Sequence, residues 1–121
     1  MKIPGIVIAA SASGSGKTAV TMAMMKAFKN TGKKVRACKC GPDYIDPMFH
    51  REVLGIDSEN LDLYFCDRER LKERFMHHAE GAELVVTEGV MGYYDGISLD
   101  SDEASTYDVA RTLGLPVILV V

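Results

Sequence analysis

The sequence predicts an α/β fold in which a parallel sheet is covered by helices on both faces. Three observations lead there. Short apolar runs alternate with segments of helical period, the apolar runs are continuous rather than alternating, and a tract of glycine and serine joins the first run to the first helical segment.

Residues 3–10 are apolar apart from Pro4 and Gly5, as a strand buried on both faces would be. The small residues of 11–16 exclude a regular element and read as a tight loop. From 17 to about 30, Val20, Met24, Ala27 and Phe28 recur at helical spacing, and Thr31-Gly32 supplies a stop. Residues 34–40 fit a second strand. The two prolines of 41–50 suggest an ordered loop with one helical turn near Asp46-Pro47, where Asp can cap and Pro can take the first helical position. Residues 67–79 are charged on one side and apolar at Leu71, Phe75 and Ala79, a surface helix. A third strand is expected over 82–87, another helix over 102–113, and a final apolar run over 116–121. A parallel strand that apolar needs cover on both faces and no helix follows it, so the expectation is a fragment truncated after its fourth strand.

Length and composition narrow the class. The 121 residues, 47% apolar, suffice for one core and leave no room for a second complete domain. A net charge of -3 with scattered Lys and Arg gives no electrostatic reason for a nucleic-acid or anionic-membrane surface. Residues 2–12 mimic a short leader with a small-residue cleavage site, but the same residues form the strand and loop a phosphate site requires. No apolar run approaches the ~18 residues of a membrane span. Cys38, Cys40 and Cys66 match neither zinc spacing nor a disulfide framework and read as reduced thiols of a cytoplasmic protein.

The most informative motif is Ser13-Gly14-Ser15-Gly16-Lys17-Thr18, after a strand and before a helix. In such a P-loop, backbone N–H groups and the helix dipole converge on a phosphate chain. Lys17 reaches the β and γ phosphates of ATP and the Thr18 hydroxyl meets Mg²⁺. The fold expected is therefore P-loop NTPase-like. The loop departs from the common pattern in carrying Ala10 where a leading glycine is usual, which requires φ below zero there. Further ligands belong at neighbouring strand ends. Glu88 follows Val85, Val86 and Thr87 directly, and a carboxylate buried at a strand end needs a partner such as Mg²⁺. Asp43 and Asp46, three apart, can either turn toward one ion or serve as turn and capping residues. Lys39 can offset charge on the γ-phosphate. His50 reads as a loop packing residue, His77 and His78 as solvated, and Met22, Met24 and Met25 as core filling.

The P-loop, the run Lys39-Cys40-Gly41-Pro42-Asp43-Tyr44-Ile45-Asp46-Pro47 and the run Glu88-Gly89-Val90-Met91-Gly92-Tyr93-Tyr94-Asp95-Gly96 closely resemble the cobyrinic acid a,c-diamide synthase family, in order and spacing over the whole chain. They also resemble the related nickel-sirohydrochlorin a,c-diamide synthases. The resemblance implies ATP-dependent amidation of the a and c carboxylates of a corrinoid or related tetrapyrrole through an acyl phosphate. It implies Thr18, Asp46 and Glu88 as metal ligands, Asp43 and Tyr44 near the reacting carboxylate, and Lys17 and Lys39 as neutralising cations. Residues 1–121 would form part of the synthetase domain. The glutamine-derived ammonia would come from a C-terminal glutaminase domain to which nothing here corresponds, so these residues alone would turn over weakly or not at all. A homodimer stays open. Dethiobiotin synthetase is similar in its longer P-loop, its Glu-Gly and its Leu115-Pro116-Val117 ending, but the 41–47 string argues against it. A partner-regulated ATPase of the septum-positioning or plasmid-partition type would carry a lysine where Ala12 stands. A small-molecule kinase would share MgATP but leave a stable phosphorylated product.

Overall fold

A computed structural model describes residues 5–10, 16–40, 45–52, 54–61, 67–89 and 106–120. The strands are β1 (Gly5–Ala10), β2 (Val35–Cys40), β3 (Ser58–Leu61), β4 (Leu84–Glu88) and β5 (Val117–Val120), and the helices are α1 (Lys17–Asn30), α2 (Ile45–Glu52), α3 (Arg68–Ala79) and α4 (Thr106–Leu113). The five strands form one sheet in the order β3-β2-β4-β1-β5, with every pairing parallel.

The two-residue period of a strand divides the core between the two faces. Ile8, Val35, Ala37 and Val86 point to the α1 face, where Met25 and Ile56 complete a cluster. Cys38, Cys40 and Val85 point to the opposite face and pack on Leu71, Phe75 and Ala79 of α3 and Val109 of α4. The expected surface helix is α3, whose Asp67 accepts from the Arg70 amide at 2.8 Å as its N-cap. Asp108 of α4, fully buried, takes two oxygen contacts from Arg68 at 2.8 and 2.9 Å and one from Arg111 at 3.1 Å, which ties α4 to the start of α3.

Several expectations change. The short strand β3, Ser-Glu-Asn-Leu, was not anticipated, so the last strand is the fifth rather than the fourth. It is polar, sits at the sheet edge and lacks an apolar run to signal it. The single helical turn near Pro47 is instead the two-turn α2, anchored where Arg51 donates to the Ser58 carbonyl at 3.0 Å and the Ile56 amide to the His50 carbonyl at 3.0 Å. Ala27 is exposed, and the α1 seam runs through Thr21 and Met25, with Val20, Met24 and Phe28 packed beside it. His78 is not solvated: its ring contacts the Ala37 carbonyl at 2.8 Å and Glu59 at 3.3 Å, because the end of α3 folds against β2 and β3. Ala10 closes β1 opposite Val120 in extended backbone, which any residue adopts.

Candidate functional site

The site follows from strand register. Lys39 of β2 lies opposite Glu88 of β4, and strand alternation sends both side chains to the face that α1 covers. Both are almost wholly buried, and Lys39 Nζ sits 2.7 Å from Glu88 Oε2 while also donating to the Gly89 carbonyl at 2.9 Å. α1 starts over the same strand ends, and its Thr18 hydroxyl, exposed to solvent, donates to Glu88 Oε2 at 3.3 Å. Residues from three elements thus meet at one carboxylate oxygen at the carboxyl edge of the sheet, where parallel α/β sheets open their binding crevice.

Gly16 makes the entry to α1 possible. Its φ of 86° is left-handed, a region that side-chain-bearing residues enter at a cost. No acidic residue stands in the first turn of α1, so the positive end of a 14-residue helix faces the crevice without a carboxylate of its own. The half-buried Lys17 adds a second cation. Its field and that of Lys39 reach the Cys40 thiol, which burial nonetheless pushes up to about 12. Cys38 is pushed further upward, first by burial and then by Cys40 and Glu59. Both thiols are therefore protonated packing groups on the far face of the sheet.

His50 was expected to pack a loop. Instead it lies on α2, is fully buried, and contacts Ser58 Oγ through Nδ1 at 2.8 Å while its Nε2 faces Glu88 Oε1 at 3.7 Å. The available signal was its place four residues after Asp46, one helical turn on. Close packing explains Gly89: a Cβ there would meet Thr106 at 2.6 and 2.8 Å and the Ile8 carbonyl at 3.1 Å.

Of the residues singled out from sequence, the fold brings Thr18, Lys39 and Glu88 together and sets Gly16 and Lys17 at the start of α1. Asp46 lies in the first turn of α2, its side chain outside the described part of the structure. Ser13, Gly14, Ser15, Asp43 and Tyr44 also lie outside the described residues.

Residues 6–116 match the family model described as the CobQ/CobB/MinD/ParA nucleotide binding domain. The chain belongs to this family. The chain is 50% identical over 116 residues to the cobyrinate a,c-diamide synthase of Gloeobacter violaceus and 47% identical over 121 residues to that of Thermoplasma volcanium. It is 47% identical over 119 residues to the hydrogenobyrinate a,c-diamide synthase of Streptomyces coelicolor. These alignments cover 96%, 100% and 98% of the chain but 26%, 26% and 24% of the relatives, so the chain spans about a quarter of their length. In fold it is similar to the signal recognition particle 54 kDa protein of Aeropyrum pernix, solved in complex with GDP. The TM-score is 0.68 at 21% identity over 98% of this chain and 29% of that one, a likeness of fold alone. The P-loop NTPase-like sheet read from sequence is the observed one, and nucleotide binding is the property of the family. No helix among the described residues is long and apolar enough to cross a membrane.

The donor chemistry suits a small hard cation. A hydroxyl and a carboxylate oxygen stand 3.3 Å apart beside a helix N-terminus. Among the described residues no group of three His, Cys, Asp or Glu gathers to hold a metal.

Proposed function

We propose that this chain is the ATP-binding part of a cobyrinate a,c-diamide synthase, an amidoligase that activates corrinoid side-chain carboxylates with ATP. The observation that carries the reading is the meeting of Thr18, Lys39 and Glu88 at the mouth of α1, in a chain whose relatives share that name. ATP lies along residues 13–18, its phosphates against Ser13, Gly14, Ser15 and Gly16, with Lys17 on the β and γ phosphates. Thr18, Asp46 and Glu88 would hold Mg²⁺, which when bound neutralises the phosphate oxygens.

The protein's own part is positioning and charge. Lys39, paired with Glu88, is a buried cation at the edge of the crevice, and a shift of its ammonium toward an incoming γ-phosphate would answer charge building there. Asp43 and Tyr44, on the segment between β2 and α2, orient the substrate carboxylate. One carboxylate oxygen attacks the γ-phosphorus, the bond to the β-bridging oxygen breaks, and ADP leaves. Ammonia then adds to the acyl carbon of the acyl phosphate, phosphate departs, and the loss of a proton from nitrogen leaves the amide. Glutamine supplies the ammonia through the remainder of the longer protein, which works in the cytoplasm.

The test is ADP release by the intact enzyme with ATP, Mg²⁺, ammonia and bicarbonate, comparing cobyrinic acid with diaminopelargonic acid. Release of ADP and phosphate with cobyrinic acid, matched by amide formation, is expected. Turnover only with diaminopelargonic acid would move the chain to a dethiobiotin synthetase-like carboxylating ligase, and a stable phosphorylated product would make it a kinase. ATP hydrolysis coupled to assembly with no small substrate would make it a partner-regulated ATPase.

A further inference from the structure

Beyond the ligand set lies a polar chain that crosses from the edge strand to the site. Ser58 Oγ on β3 stands 2.8 Å from His50 Nδ1, and His50 Nε2 stands 3.7 Å from Glu88 Oε1. His50 is fully buried, so it touches neither solvent nor an incoming substrate, and its Nε2 has no hydrogen-bond partner among the described residues. The orientation of the Ser58 hydroxyl decides what Nε2 presents. If the hydroxyl donates to Nδ1, the proton sits on Nε2 and points at the carboxylate. If Nδ1 carries the proton instead, a nitrogen lone pair faces a carboxylate oxygen, which electrostatics disfavours. The separation of 3.7 Å is longer than a hydrogen bond but lies within a small rotation of the Glu88 carboxylate.

We propose that His50 is a positioning residue for Glu88: with its tautomer set by Ser58, it draws Oε1 toward Nε2 and so holds Oε2 on Thr18 and the metal position. This rests on the reading of Glu88 as a magnesium ligand. The arrangement is of the kind that fixes ligands from behind: a buried group restrains the free rotation of a first ligand, and its loss weakens the metal rather than the fold.

The experiment measures the affinity of the intact protein for a non-hydrolysable ATP analogue while Mg²⁺ is titrated, and again in EDTA. For His50→Phe and for Ser58→Ala the Mg²⁺ concentration that gives half of the enhancement should rise about 10-fold, with the affinity in EDTA unchanged. His50→Gln, whose amide can present an N–H where Nε2 stood, should recover most of the loss. Should the phenylalanine variant fail to fold, the Ser58→Ala and His50→Gln pair still decides. An unchanged Mg²⁺ midpoint in the variants, with a clear Mg²⁺ response in the native protein, overturns the role of His50 alone. An equal fall in EDTA also overturns it, by making the residue merely structural. A native protein with no Mg²⁺ response overturns this inference together with the proposed function.

Discussion

Replacing Lys39 and Glu88 separately and together asks how the buried pair is held. At 2.7 Å, with side chains 3% and 0% exposed, the charges sit at contact distance in a water-poor site. At an effective dielectric of ~20 their gross attraction is about 6 kcal/mol, against a desolvation cost of several kcal/mol per ion. The net worth of the pair is therefore small, whereas the cost of stranding one member is large. Glu88→Gln removes the carboxylate that stands 2.7 Å from the Lys39 ammonium, and Lys39→Met removes that ammonium from the buried carboxylate. Each single change should cost about 3–5 kcal/mol, and the double variant much less than their sum. Urea unfolding of the four proteins gives the cycle from shifts in midpoint at constant slope. A coupling energy below about 0.5 kcal/mol, with the double variant as unstable as the two singles added, would refute the claim that the two charges hold each other.

Three further perturbations follow from local geometry. Gly16→Ala forces a Cβ into φ 86° and should cost about 1–2 kcal/mol of stability by urea unfolding, with nucleotide affinity falling in parallel. Gly89→Ala drives a methyl into Thr106 and should cost about 1–3 kcal/mol, most of it recovered in the Gly89→Ala, Thr106→Ala double variant, since only the 3.1 Å approach to the Ile8 carbonyl then remains. Native protein at pH 8 treated with iodoacetamide should show no label on Cys38 or Cys40 by mass spectrometry. For Cys40 the folded value is raised from 9.0 to about 12, so its contribution to stability is intact below pH 9 and is lost as pH rises from there toward 12, and the alkaline limb of a pH–stability curve should shrink in Cys40→Ala.

The sequence revealed most where one physical cause acts locally. Apolar runs announced β1, β4 and β5, Val35, Ala37 and Cys38 marked β2, and the Gly-Lys-Thr string at a strand–helix junction announced the start of α1, because backbone conformation and phosphate binding restrict the same few positions. Thr18 and Glu88 were identified from opposite ends of the chain, and they meet because parallel strands deliver their carboxyl ends to one edge. β3 and His50 escaped for a common reason: neither depends on its neighbours in sequence. A four-residue polar edge strand is made by pairing with β2, and a buried histidine is explained only once Ser58 and Glu88 close around it. The pairing of Lys39 with Glu88 is likewise a matter of register, which neither strand's own residues determine.

A crystal structure of the intact protein with Mg²⁺ and a non-hydrolysable ATP analogue tests the central claim directly. The metal should lie about 2.1 Å from the Thr18 hydroxyl, with Glu88 on it directly or through one water and the γ-phosphate beside Lys17. A nucleotide bound away from the mouth of α1, with the metal remote from both Thr18 and Glu88, would contradict the account.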